Sequence, residues 1–383
     1  MRPPLLDFCS SRLGQLRADI ETLVRLESPS TDKAAVDRCG DALTTLLASA
    51  GASVKRVSQS ACGDHILAEF AGGPAGVLIL GHFDTVWDVG QIERMPFVEK
   101  DGRLYGPGIF DMKSSIAVAL LAMRALIELG MRAPRVTMLW TTDEEVGSLT
   151  SRALIEEQAA QHDAVLVVEP SLPGGSVKTR RKGCGEFTLT VHGVSAHAGI
   201  DPGNGASAIH ELARQIVALQ ALTDLDRGVS VNVGKVAGGT RGNVIAERAT
   251  AAIDVRVPAM TDAVRIEALI RGLRATDLAT RLEVEGGFDR PPLERTDGVV
   301  RLYHEARQVA ERLGRTLGEG GTGGGSDGNF TAALGVPTLD GLGPQGDGAH
   351  AVHEHVLVAD LPWRAAFLAA LIERLDTVKL SSR

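Results

Sequence analysis

Several side chains that can hold a proton or a cation fall at the ends of apolar runs. In "LILGHFDTVWDVG" (78–90) an apolar stretch closes on His82 and Asp84. A strand alternates its side chains, so these two point the same way. A carboxylate beside an imidazole fixes its tautomer and raises its basicity. A core histidine next to a turn aspartate would look the same. "YGPGIFDMK" puts Asp111 after a Gly-Pro-Gly loop and ahead of a helix, where an aspartate also serves as an N-cap. "LWTTDEEVGS" sets Asp143, Glu144 and Glu145 directly after an apolar strand. Three adjacent carboxylates repel one another unless they are solvated or bound to cations. "LVVEP" ends a further strand on Glu169, and the tail "GDGAHAVHEHV" offers His350, His353 and His355. Mixed imidazole and carboxylate ligands suit Zn²⁺, and also Mn²⁺ or Co²⁺. Paired ions roughly 3.5–4 Å apart are a recurrent hydrolytic device.

The elements that must position these groups alternate along the first part of the chain. Residues 11–26 and 33–50 read as amphipathic helices, 77–80 as a short apolar strand, and 113–129 as a helix stopped by Gly130. "RVTMLW" (135–140) and "AVLVV" (164–168) show little alternation, as strands covered on both faces do. This predicts an α/β domain with helices around a mainly parallel sheet. Open sheets of that kind place their sites beyond strand ends, which is where these carboxylates and His82 fall.

The middle of the chain reads differently. Strands at 185–193, 229–236, 249–257 and 281–286, with helices at about 204–222 and 261–274, give the order β-α-β-β-α-β. That is the ferredoxin-like split motif. The chain then returns to helix, a glycine-rich stretch, a short strand near "VPTLDGL" and a last helix at about 361–376. The expected organisation is a domain of residues 1–181 and 290–383, interrupted by an inserted unit of residues 182–289.

Bulk properties narrow the function. A chain of 383 residues suits two domains. Its formal net charge of −8 disfavours a nucleic-acid partner. No apolar stretch is long enough for a membrane span, and the start lacks the long apolar core of a signal peptide. The expected location is the cytoplasm. Cys9, Cys39, Cys62 and Cys184 are scattered and form no CxxC, so they are expected to be isolated thiols.

Taken together, "GHFDTV", "DGRLYGPGIFDMK", "TTDEEVGS", "VEP", "VSAHAG", "GNVI", "DVR" and "GAHAVHEHV" resemble, in order and across nearly the whole chain, the M20 metallopeptidases, and within them the glutamate carboxypeptidase (carboxypeptidase G2-like) branch. The resemblance implies a zinc-exopeptidase-like catalytic domain with a mainly parallel mixed sheet, and an inserted ferredoxin-like α+β lid and dimerisation domain. It implies two Zn²⁺ per chain, with Co²⁺ or Mn²⁺ as substitutes. His82 and Glu169 would hold one ion, Glu145 and His350 the other, and Asp111 would bridge them. His350 is preferred to His353 because "GAH" followed by Glu354 matches the family's "GAHxxxE". Asp84 would orient His82, and Glu144 would act as general base and proton shuttle. The resemblance also implies a cis Asp111–Met112 peptide. In the lid, His197 would reach a partner subunit's active site, Asn243 would bind the substrate or its oxyanion, and Arg256 a substrate carboxylate. Ala246 stands where many relatives carry Pro, which would loosen the loop holding Asn243.

The glycine-rich "GEGGTGGGSDGN" (318–329) lacks the Lys-Ser/Thr ending of a phosphate-binding P-loop. The family-like reading makes it a flexible loop bordering the site, with "GGGSD" near the substrate's carboxylate. The expected activity is hydrolysis of an amide bond, releasing a C-terminal amino acid such as glutamate from a peptide or N-acyl conjugate. The alternative is an N-acyl-amino-acid deacylase (aminoacylase, acetylornithine deacetylase or desuccinylase type) using the same metal site. A non-catalytic binding protein would show degenerate ligands, and none is apparent.

Overall fold

The computed structural model describes residues 4–378. The chain divides into two compact units. The first runs to Thr179 and takes in Arg295–Gly321 and the chain from Ser326 onward; the second comprises Arg180–Glu294 and Thr322–Gly325. The inserted unit is therefore larger than the expected 182–289. Arg181 N and Leu293 O, and Lys182 N and Thr322 O, are joined by backbone hydrogen bonds, so the flanking segments and a piece of the glycine-rich stretch belong to it. The outermost residues of the two expected catalytic segments, 1–3 and 379–383, lie outside the described residues.

The core of the first unit is a mixed sheet in the order Ser53–Val57, His65–Phe70, Pro134–Thr141, Gly73–His82, Ala164–Val167, Thr338–Leu339. Its last three pairings are parallel and its first two antiparallel. The central strands are apolar throughout because both of their faces are covered. Val77 and Ile79 pack into one core cluster with the Ser114–Glu128 and Leu361–Leu375 helices, while Leu78 and Leu80 pack into another with Ile155 and Phe330. Ser114–Glu128 has no polar stripe, and every residue from Ser114 to Leu126 is buried. The sheet thus ends in register at His82 opposite Thr141, bringing two of the expected site segments side by side.

Three features of this unit lie outside the expected elements. A short helix, Pro4–Ser11, precedes the expected first helix, which spans Leu13–Arg25. Ser53–Val57, outside the expected strands, forms the edge strand of the sheet and carries Lys55 and Arg56; charges there block further strand addition. A small antiparallel sheet, Gly346–Asp347, His355–Leu357, Arg103–Tyr105, Val98–Lys100, also went unforeseen. Its strands have only two or three residues each, too few to show a period. It ties the tail turn bearing His350 to the strand that leads into the loop of Asp111.

The second unit is a four-stranded antiparallel sheet ordered Ser230–Gly238, Arg248–Val257, Gly183–His192, Arg281–Arg290. Helices Ala208–Gln220 and Met260–Arg271 contribute Leu212, Leu219, Ile266 and Ile270 to a core with Phe187, Leu189, Ile253 and Val255. Ala251, Ile253 and Val255 face this core, so Ala252, Asp254 and Arg256 share the opposite face. Among the described residues no helix is long and apolar enough to cross a membrane.

One buried ion pair holds the tail in place. Asp360 accepts from Arg364 Nε at 3.0 Å, Gln345 N at 2.8 Å and Gln345 Nε2 at 2.9 Å. Arg364 Nη2 donates to Gly175 O at 2.7 Å. Burial works against the Asp360 carboxylate, but Arg364 and the Gln345 donors prevail and hold it below its ordinary value. Replacing one partner leaves the other charge buried and uncompensated. Asp360→Asn is therefore expected to lower stability by about 3–5 kcal/mol, measured by denaturant unfolding near pH 7. Because the folded carboxyl is depressed, its contribution is complete above the ordinary value of 3.8 and is lost as pH falls through the lower folded value, so the gap between variant and parent narrows in acid.

Candidate metal centre

In the first unit the segments ending at His82, Asp111, Glu145, Glu169 and His350 converge. His82 is buried at the end of its strand. Its Nε2 lies 3.2 Å from Asp111 Oδ1 and 3.6 Å from Glu169 Oε1. Its Nδ1 lies 3.0 Å from the Asp84 carbonyl and 3.4 Å from Asp84 Oδ1. Asp84 is fully buried; its Oδ2 accepts from Ser30 Oγ at 2.7 Å and from the Glu145 amide at 3.2 Å. The carboxylate that turns toward His82 thus also braces the backbone of Glu145.

Asp111 lies between the two histidines. Oδ1 faces His82, while Oδ2 is 3.5 Å from His350 Nε2. His350 Nε2 is also 3.2 Å from Glu145. The Asp111–Met112 peptide is cis, and His350 has a left-handed φ of 60°. His353 is exposed three residues on, and among the described residues no ion pair joins it to these carboxylates.

The three neighbouring acids of "DEE" have separate surroundings. Asp143 Oδ2 accepts from Thr150 N at 2.7 Å, Thr150 Oγ1 at 2.8 Å and Ser151 N at 3.3 Å. Glu145 reaches His350, and Glu144 lies half-buried between them in the same turn. The repulsion expected of adjacent carboxylates is reduced by giving the outer two different partners.

The electrostatics call for positive charge. Burial disfavours charge on His82, yet hydrogen bonds with Asp111, Asp84 and Glu169 raise it well above its ordinary value. Asp111, and after it Glu145, lift His350 to about 10. Burial would raise Asp111, but His350 and His82 hold it well below the usual carboxylate range. Glu145 is raised, chiefly by burial. Carboxylates that hold protons on two imidazoles this firmly would accept divalent cations there, with the imidazoles neutral. The donor set is one imidazole and one outer carboxylate on each side of a shared aspartate, which fits two borderline ions.

A second buried donor group, Cys62, His65 and Asp143, does not fit an ion as well. Thr150 Oγ1 lies 3.0 Å from both Cys62 Sγ and His65 Nε2 and donates to Asp143. The hydroxyl stands among the three donors and already serves them.

Sequence reasoning overlooked Glu354 as part of the site. It is buried, and its carboxylate accepts from Gly108 N, Phe110 N, Asp111 N and Trp87 Nε1. Burial raises its carboxyl to about 7 against the pull of those donors. Its spacing from His350 was the available signal. The flexible-loop reading of "GGGSD" needs correction at its end. Asp327 is buried and accepts from Ser148 Oγ at 2.5 Å and Thr141 Oγ1 at 3.0 Å, so glycine composition there does not mean freedom.

His197, Asn243 and Arg256 lie in the second unit. His197 pairs with Val244 in an isolated bridge, and Ala198 N donates to Asn243 O at 3.0 Å, so His197 and Asn243 sit on adjoining exposed segments. His197 Nδ1 accepts from Gly199 N and Ile200 N, both at 3.1 Å. A neutral ring must then carry its proton on Nε2, as an outward donor. Arg256 is engaged by Asp254 at 2.7 Å through Nη2 and by Cys184 through Nη1. Near Ala246 the loop is bonded despite the missing proline: Ile245 N donates to Ala196 O, and Ala246 O accepts from Ala208 N.

The family model "Peptidase family M20/M25/M40" matches residues 78–374. Carboxypeptidase G2 of Pseudomonas sp. (strain RS-16) is 32% identical over 372 residues, covering 94% of this chain and 89% of that protein. Succinyl-diaminopimelate desuccinylase of Xanthomonas oryzae pv. oryzae (strain MAFF 311018) is 32% identical over 338 residues, covering 82% and 87%. The fold is shared with aminopeptidase PepT from Bacillus cereus ATCC 10987, with a TM-score of 0.83 at 22% identity over 95% of this chain and 98% of that one. The chain belongs to the M20 peptidase family of metal-dependent hydrolases.

Chelation followed by dialysis is expected to abolish hydrolysis and lower the melting temperature, and Zn²⁺, Co²⁺ or Mn²⁺ to restore both. His350→Ala should weaken metal binding in a chelator competition, and His353→Ala should leave it unchanged. The reverse order would move the ligand to His353.

Proposed function

We propose that this protein is a two-zinc amidohydrolase that releases a C-terminal amino acid, glutamate in the first instance, from a peptide or N-acyl conjugate. The observation that carries the reading is Asp111, whose two oxygens each face a different imidazole. His82 and Glu169 would hold one ion and Glu145 and His350 the other, with Asp111 shared between them. Asp84 keeps the His82 proton on Nδ1, leaving Nε2 as the ligand atom. Bound divalent ions supply Lewis acidity to water and to the scissile carbonyl.

The chain's own groups do the rest. Glu144 takes a proton from water as the water oxygen attacks the carbonyl carbon. When the C–N bond breaks, Glu144 gives that proton to the departing nitrogen. A glutamate bound tightly to metal could not shuttle in this way, which explains two adjacent glutamates with different tasks. His197 Nε2–H and Asn243 are donors suited to the charge that develops on the carbonyl oxygen. We assign His197 to the site of a second copy, in a homodimer formed through the exposed edge strand Ser230–Gly238. Arg256 keeps N–H donors on Nη1 and Nη2 beyond those engaged by Asp254 and Cys184, and these suit a substrate carboxylate.

A second reading has its own support. The desuccinylase relative is as similar in identity as the carboxypeptidase. In that reading the same site removes an acyl group from an N-acyl amino acid. Hydrolysis of a panel of peptidyl and N-acyl amino acids by metal-loaded enzyme separates the two by kcat/KM.

Glu144→Gln is expected to keep its metal and lose turnover by several orders of magnitude, since an amide oxygen is a very poor base. Near-normal kcat in a metal-loaded variant would remove Glu144 from this role. Arg256→Ala should lower kcat/KM by about ten- to a hundred-fold on substrates with a free carboxylate, and hardly at all on amidated analogues. Equal losses on both would mean that Arg256 supports the sheet only. Mixing inactive His197→Ala with inactive Glu144→Gln should restore some activity through heterodimers. No recovery after demonstrated subunit exchange would exclude the shared site.

A further inference from the structure

Glu354 is the only side chain of the tail turn whose carboxylate is buried against the loop of Asp111. Its turn carries His350: Ala351 N donates to Gly348 O and Glu354 N to Ala351 O, both at 2.9 Å. Oε1 accepts from Phe110 N at 2.9 Å and Asp111 N at 3.0 Å. Oε2 accepts from Gly108 N at 2.8 Å and Trp87 Nε1 at 2.9 Å. These donors come from two further segments. One is the loop bearing Asp111; the other follows His82 and Asp84. The first three donors are backbone amides at the start of the helical run that leads into Ser114–Glu128, where N–H groups have no partner within the helix. Gly108 has a left-handed φ of 68°, and a Cβ there would come within 2.4 Å of Thr85 Cγ2, so the loop meets the Asp84 segment closely.

We infer that Glu354 is a positioning residue that sets the spacing of Asp111, His350 and His82 and thereby the metal affinity of the centre. A carboxylate offers acceptor sites on both oxygens, which this arrangement needs. A glutamine cannot replace it, because in either orientation its NH₂ would face two N–H donors. Shortening or neutralising the side chain frees the Asp111 loop from the His350 turn without touching a ligand atom. The inference rests on Asp111 and His350 holding metal.

The test is competition between the purified protein and a chelator for Zn²⁺, with the visible bands of the Co²⁺ form and the near-ultraviolet circular dichroism of the metal-free protein recorded alongside. Glu354→Gln is expected to keep the dichroism, shift the Co²⁺ bands and bind Zn²⁺ about 10- to 100-fold more weakly. Trp87→Phe, which removes one donor and keeps a ring in place, should fall between it and the parent. Parental affinity in a folded Glu354→Gln overturns the inference; if that variant does not fold, parental affinity in Trp87→Phe overturns it. His350→Ala and Asp111→Ala serve as references. Undiminished binding by both would bring down the metal centre itself, whereas weak binding by both beside a normal Glu354→Gln removes only the part given to Glu354.

Discussion

Like charges gathered away from water are the constraint on which the first unit turns. Asp84, Asp111, Glu145 and Glu169 approach two imidazoles at the ends of apolar strands, and positive charge among them relieves their repulsion. A flexible scaffold would let them separate. Here the strands are packed on both faces, and the helix after Asp111 is buried along almost its whole length. Packing of this density resists the small displacements that would spread the carboxylates.

The segments that carry these side chains are held by polar clamps as well as by packing. Asp84 braces Glu145 while facing His82; Asp143 ties the "DEE" turn to Thr150 and Ser151; Asp360 and Arg364 fix Gln345 ahead of the tail turn. Each clamp is a buried charge with several donors or acceptors, the condition under which such a charge is tolerated in an interior. Local order therefore comes from carboxylates that point away from the His82–Asp111–His350 cluster as much as from those that point toward it.

The second unit follows a different logic. Its sheet has one face on its own core and one face open, and its functional candidates lie on the open face or on exposed segments. His197 is set as an outward donor by two backbone amides, and Arg256 is aligned by Asp254. A unit with an independent core can present such groups without sharing the packing of the first unit.

Much of this was legible from sequence alone. Apolar runs ending in His82, Glu169 and the "DEE" triplet identify strands covered on both faces that deliver polar groups at their ends, because burial of both faces removes alternation and leaves the strand terminus as the place for charge. The β-α-β-β-α-β order of the second unit was readable for the opposite reason, since one open face preserves the alternation in "ATAAIDVRV". Only tertiary structure could decide how segments far apart in sequence meet. The short strands at 346–347, 355–357, 103–105 and 98–100 carry no period of their own and exist because they pair with one another. The four donors around Glu354 are backbone and indole N–H groups from two other segments, and a backbone N–H has no side-chain signature in a sequence. "GGGSD" reads as a free loop until Asp327 is seen to accept from the hydroxyls of Ser148 and Thr141, which are nearly two hundred residues away in sequence. Residue type and period determine which groups are available and on which elements; the distances among them are set by long-range hydrogen bonds and packing that no local pattern encodes.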